Sequence, residues 1–210
     1  MIAVIDYGMG NLRSVSKALE HVAPGVEVLV TSDPEKVASA DRVVFPGQGA
    51  MPDCMRELDD RGLRTAVLEA SKTRPFLGIC IGLQMLFQHS EEGDVRGLGI
   101  LGGDVRRFTR EAMHPVGGER LKVPHMGWNT VVHTLRHPLW ENISDQERFY
   151  FVHSYYAAPV DQSLVSGACE YGVRFACAVA RDNIFAVQFH PEKSHTAGLQ
   201  LLRNFVHWTP

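Results

Sequence analysis

Short, nearly continuous apolar runs, rich in β-branched residues, recur along the first half of the chain at residues 2–5, 26–31, 42–45 and 75–79. Runs of that length without polar alternation predict strands buried on both faces, as in a parallel sheet held between helices. Between them the apolar period changes. Leu12, Val15, Ala18, Leu19 and Val22 fall on one side of a helix, and so do Met55, Leu58, Leu63, Val67 and Leu68 around an interruption at Gly62. Alternating strand and helix patterns predict βα units and an α/β fold with a three-layer, flavodoxin-like core whose sheet is parallel in the N-terminal half. The second half reads differently. Glycine pairs at Gly102-Gly103 and Gly117-Gly118 mark turns between strand-like runs at 121–123, 149–152, 176–180 and 184–189, with no long helical pattern until residues 196–208. These runs are expected to extend the same sheet as antiparallel strands, closed by the C-terminal helix. No repeat, linker or run of like charge interrupts the 210 residues, which predicts a single domain over 1–210.

Composition narrows the classes of function. Lys and Arg number 21 against 24 for Asp and Glu, a formal charge of -3, and 45% of residues are apolar. That balance argues against a nucleic-acid or polyanion surface. The four cysteines, Cys54, Cys80, Cys169 and Cys177, show no C-x-x-C spacing and do not read as a disulfide scaffold, which points to a reducing compartment. The first residues lack the basic region of a signal peptide, and the most apolar segment, 75–87, is broken by glycines and Gln84 and falls short of the ~20 residues that span a bilayer. A cytoplasmic protein without membrane association is expected.

The segment Gly78-Ile79-Cys80-Ile81-Gly82 carries the most chemistry. A buried strand enters a sharp glycine-flanked turn and leaves as a helix, the nucleophile-elbow pattern with cysteine in place of serine. The sulfur is expected at a helix N-terminus, where the dipole favours thiolate. A buried cysteine is more often only a small hydrophobe; the strand-turn-helix setting favours the nucleophile. Such a nucleophile needs a base and a group that orients it. His190 precedes Pro191, which biases it to extended backbone, so that Glu192 lies on the same side and can fix the imidazole tautomer. Pro46-Gly47-Gln48-Gly49 follows an apolar run and suits an oxyanion hole, with backbone N–H groups of Gly47, Gln48, Gly49 and, after the nucleophile, Ile81 as donors. Gly8-Met9-Gly10 is only a partial dinucleotide pattern, since Arg13 stands where the third glycine belongs. His190, Glu192 and His195 do not make a metal site, and neither metal nor cofactor is expected.

Together these segments resemble the triad-type glutamine amidotransferases. Asp6-Tyr-Gly-Met-Gly-Asn-Leu-Arg-Ser14, Pro124-His-Met-Gly-Trp-Asn129 and Phe151-Val-His-Ser-Tyr155 are similar to segments of the glutaminase subunits of histidine biosynthesis, and the likeness runs essentially end to end. The resemblance implies that Cys80 attacks the carboxamide of L-glutamine, that His190 serves the leaving nitrogen and the hydrolytic water, and that Glu192 orients His190. It further implies that Gly49, Gln84, Ser154 and Tyr155 hold the substrate, and that ammonia passes to a separate (βα)8-barrel synthase in a heterodimer. Asn11 and Trp128, the latter on an expected loop, are candidate partner contacts. Gln48 departs from the small aliphatic residue common at its position. The alternatives are a glutaminase subunit of another amidotransferase, such as one serving pyridoxal phosphate synthesis, and a catalytically dormant regulatory module. Retention of Cys80, His190 and Glu192 argues against dormancy, and the N-terminal segment favours the histidine pathway.

Overall fold

The computed structural model describes residues 1–113 and 120–210, so the expected turn at Gly117-Gly118 lies outside the described residues. The first half is built of β1 (Ile2–Ile5), α1 (Leu12–Val22), β2 (Val28–Thr31), α2 (Pro34–Ser39), β3 (Arg42–Gly47), α3 (Met51–Asp60), α4 (Arg64–Thr73), β4 (Phe76–Cys80) and the single-turn α5 (Ile81–Gln84). The second half contributes β5 (His89–Ser90), β6 (Val95–Arg96), β7 (Gly103–Arg107), β8 (His125–Thr130), β9 (Val132–His133), β10 (Arg148–His153), β11 (Tyr155–Pro159), β12 (Val165–Tyr171), β13 (Val173–Arg181), β14 (Ile184–Val187) and α6 (His195–His207).

Local chemistry explains several boundaries. Asp33 caps α2 by accepting from the Glu35 N–H at 2.9 Å, with Pro34 at the first helical position, where its missing N–H is harmless. The expected helix around Gly62 is two helices, α3 and α4, because Gly62 takes φ +67 between them. On α1 the buried side is Val15, Ala18, Leu19 and Val22, as the spacing predicts.

The parallel core has the order β2-β1-β3-β4-β14, the flavodoxin-like arrangement. All of β1, β4 and β14 is buried, so both faces of the sheet are covered, α1 packing with α6 and α2 with α4. Beyond β14 the sheet continues antiparallel through β13, β11 and β7, with β12 also pairing on β13.

Four expectations are corrected. Residues 184–187 run parallel to β4, not antiparallel, because the chain returns to the β4 edge only after a long crossover that holds the rest of the second half. Residues 121–123 form no strand; Lys122 and Val123 are exposed, and extended pairing starts after Pro124, at His125. Residues 149–152 do not join the main sheet: among the described residues β10 pairs only with β8, in a two-stranded sheet whose inner side carries Phe149, Phe151 and His153. Gly103 is the first residue of β7 rather than part of a turn.

Candidate active site

In an α/β sheet of this kind, ligands sit beyond the carboxyl ends of the strands. There β3 places Gly47 opposite Cys80 at the end of β4, and β14, in register with β4 through Val187 and Ile79, leads into His190. Three segments that are distant in sequence thus emerge side by side. Cys80 takes φ +56, a conformation that strains an ordinary side chain and turns the sulfur out of the strand. The turn closes tightly enough that a Cβ on Gly82 would lie 2.9 Å from the Phe45 carbonyl carbon. The helix expected behind the sulfur is only the four-residue α5, too few aligned peptides for a useful macrodipole. The groups left to assist an attacking sulfur are therefore the ones packed around it rather than a helix.

His190 Nδ1 lies 2.9 Å from Glu192 Oε1, and both side chains are buried. The pairing is made by a route other than a continuous extended strand. His190 is extended, but Pro191–Lys193 folds into a 3-10 turn that brings Glu192 back beneath the ring. Backbone bonds lock the placement: the His190 N–H donates to the Tyr150 carbonyl at 2.9 Å, and the Ser194 hydroxyl donates to the His190 carbonyl at 2.6 Å. The far nitrogen, Nε2, is buried without a formed hydrogen bond, on the ring that interacts with the Cys80 sulfur. Burial opposes charge on this ring, yet the Cys80 sulfur and then Glu192 outweigh it and raise His190 to about 10. An imidazolium facing a sulfur is poised to deliver a proton once the sulfur has attacked.

A chain of buried polar groups adjoins the sulfur. Gln84 Nε2 donates to the Tyr155 carbonyl and to Gln188 Oε1, each at 3.0 Å, while Gln188 Nε2 points at Cys80 Sγ, 3.8 Å away. His153 Nδ1 donates to the same Tyr155 carbonyl at 2.8 Å, which leaves its Nε2 to accept from His125 Nδ1 at 2.9 Å. Burial drives His153 down to about 3 and His125 to about 4, so both are neutral. Under the glycine loop, burial raises the Cys54 thiol to about 11, and its Sγ donates to the Gln48 carbonyl at 3.7 Å. A trans peptide directs C=O and N–H oppositely, so the Gly49 N–H faces away from Cys54.

These groups surround a cavity of about 230 Å³ lined by Gln48, Gly49, Cys80, Gln84, Tyr155 and His190, with Ile81 and Ser154 also at its wall. Gly47 lies beneath, against the Tyr7 hydroxyl and Ile81. A larger cavity, about 890 Å³ between Arg107, Phe108 and Lys122, holds none of the candidate residues, so the smaller one is where the chemistry converges. Asn11 and Trp128 stand outside it. Asn11 precedes α1 beside Gly10, whose backbone faces Gly47. Trp128 is on strand β8 rather than a loop, opposite Tyr150, and stacks on His195 with ring centroids 4.8 Å apart. Among the described residues no group of three or more His, Cys, Asp or Glu could hold a metal ion. Sequence reasoning missed Gln188; the clue was a lone polar residue between Val187 and Phe189 in an otherwise buried run, two positions before His190.

A family model described as Glutamine amidotransferase class-I matches residues 3–208. The chain belongs to the class-I glutamine amidotransferases. Among relatives of this amidotransferase, the imidazole glycerol phosphate synthase subunit HisH of Dechloromonas aromatica is 71% identical over 100% of this chain and 97% of its own length. The subunit of the same name from Aromatoleum aromaticum is 68% identical over 100% of this chain and 99% of its own. The glutaminase domain of CTPS from Trypanosoma brucei, solved with bound acivicin, superposes with a TM-score of 0.66 at 17% identity, covering 100% of this chain and 94% of that one, and so shares the amidotransferase fold.

Proposed function

We propose that this amidotransferase is the glutaminase subunit of imidazole glycerol phosphate synthase, hydrolysing L-glutamine and passing ammonia to a separate (βα)8-barrel synthase subunit that makes imidazole glycerol phosphate in histidine biosynthesis. The observation that carries the catalytic part is the meeting of Cys80 and His190 at one small cavity, with Glu192 bonded to the far side of the His190 ring and His190 held charged beside the sulfur. Cys80 attacks the γ-carboxamide carbon. His190 gives its Nε2 proton to the departing nitrogen, and ammonia leaves behind a γ-glutamyl thioester. The neutral ring then takes a proton from water as the water oxygen attacks the thioester, and Glu192 holds the ring orientation throughout.

Backbone N–H groups of Gly47, Gln48, Gly49 and Ile81 are the candidate donors to the developing oxyanion. Gln84 has an unbonded, buried Oε1 that suits the α-ammonium of an amino acid, and Ser154, Tyr155 and Gly49 complete the substrate's surroundings. The partner reading is supported by an apolar surface on β8, where Met126 is 63% and Trp128 37% exposed on the same side of the strand. Asn11, beside the glycine loop, would let a partner act on the oxyanion donors. We read the chain as one domain and as cytoplasmic, in keeping with four free thiols, Cys54, Cys80, Cys169 and Cys177.

The test is Cys80→Ala in the complex with the barrel subunit, assayed with glutamine and with ammonium salts. Glutamine-dependent synthesis should vanish while ammonium-dependent synthesis persists. Loss of both in a folded, assembled complex would overturn the division of labour.

A further inference from the structure

Gln188 is fully buried and takes no part in the roles assigned above. Its surroundings leave it little freedom: its backbone N–H donates to the Cys177 carbonyl at 2.8 Å, and Val187 and Phe189 on either side are in the core. Its amide has a defined polarity. Gln84 commits one Nε2 hydrogen to the Tyr155 carbonyl and the other to Gln188 Oε1. With its oxygen engaged there, the Gln188 NH2 group is turned toward Cys80 Sγ, 3.8 Å away. A flipped amide would set two NH2 groups against each other and leave the Gln84 hydrogen without its acceptor.

We propose that Gln188 is a further catalytic residue, whose amide N–H holds negative charge on the Cys80 sulfur, and that Gln84 is the positioning residue that aims it. This rests on reading Cys80 as the nucleophile. The sulfur carries charge twice in the cycle: as the attacking thiolate, and again when the thioester opens. In the second step the water oxygen bonds to the γ-carbonyl carbon, its proton passes to His190 Nε2, and the C–S bond breaks with its electron pair returning to Sγ. A fixed donor in a buried site supports both states without reorganising.

The test is the pH profile of Cys80 alkylation by iodoacetamide in the full chain, read at the Cys80 peptide by mass spectrometry. Among the described residues the titratable groups around the sulfur include His190, with Glu192 behind it, Tyr7 and Cys54, and Glu92 and Lys193 line the same cavity. Gln188→Met keeps the volume and removes the donor; the alkylation midpoint should rise by about one pH unit, with a roughly tenfold slower reaction at pH values below the wild-type midpoint, as for a lost hydrogen bond to a charged group. Gln188→Glu keeps an acceptor for Gln84 and sets a carboxylate oxygen against the sulfur, and should shift the midpoint further. A folded Gln188→Met chain with the wild-type midpoint overturns the proposal. Should that variant fail to fold, Gln84→Met decides: freed from its anchor, the Gln188 amide can turn, and the midpoint must rise or the proposal fails. Alkylation needs no glutamine turnover, so a wild-type complex without glutaminase activity would sink the functional reading and leave this measurement intact.

Discussion

Alanine at Gly82 adds one methyl group where backbone meets backbone. Its Cβ would overlap the Phe45 carbonyl oxygen and lie 2.9 Å from the carbonyl carbon and 3.5 Å from the Pro46 carbonyl carbon. Carbon atoms in contact normally sit about 3.5–4.0 Å apart, so β3 and α5 must separate by something near 1 Å, with no side chain able to yield instead. Overpacking costs roughly 1–3 kcal/mol, and a rigid obstruction in a central strand belongs at about 3. For a chain of this size each kcal/mol lowers Tm by about 2–4 °C, giving an expected loss of about 6–12 °C. The same displacement moves the glycine loop after β3 away from the elbow, and about 1 Å of misplacement costs on the order of 10² in turnover. Gly102→Ala is the control, since among the described residues no atom lies within 4 Å of its added Cβ. Thermal unfolding of both variants, with glutaminase turnover in the assembled complex, tests the reasoning. A Gly82→Ala chain whose Tm stays within about 2 °C of wild type would refute it.

Two further outcomes follow from the same geometry. The Gln48 side chain is exposed while its carbonyl is held by Cys54, so Gln48→Val should keep turnover within about tenfold, whereas Gln48→Pro, which removes the backbone N–H, should lose at least ~10². Equal damage in both variants, measured as kcat in the complex, would show that the side chain matters instead. His153 is held neutral, with burial lowering it to about 3, so between the unfolded value near 6.5 and that limit the unfolded chain binds the extra proton. Its stabilising contribution is complete above about pH 6.5 and is lost at about 1.4 kcal/mol per pH unit as pH falls below it. Urea unfolding at pH 7.5 and 5 should show that loss, to which the lowered His125 and His137 add, and His153→Phe should make it shallower by about one proton's share; an equally steep dependence in the variant would refute the assignment.

The sequence by itself determined what local pattern can determine. Unbroken apolar runs identify strands covered on both faces, because a polar residue there would have no partner, and the parallel half was legible for that reason. The elbow was legible because a sharp turn needs small flanking residues, and Glu192 because it lies two residues from the histidine it serves. Tertiary structure alone decided the rest. Whether residues 184–187 run parallel or antiparallel depends on which strand edge the returning chain meets, and β4 offered a parallel one. Residues 149–152 carry the same alternation whether they join the large sheet or a separate ladder with β8; only packing of Phe149 and Phe151 on the core selects the ladder. The donor to Cys80 was hidden most deeply. Nothing in the identity of Gln84 or Gln188 announces that two amides 104 positions apart share a hydrogen bond or that one faces the sulfur. That arrangement exists because β4 and β14 are neighbours in the sheet, which puts a helix turn and a strand end within reach of each other, where a buried amide must spend every donor it can.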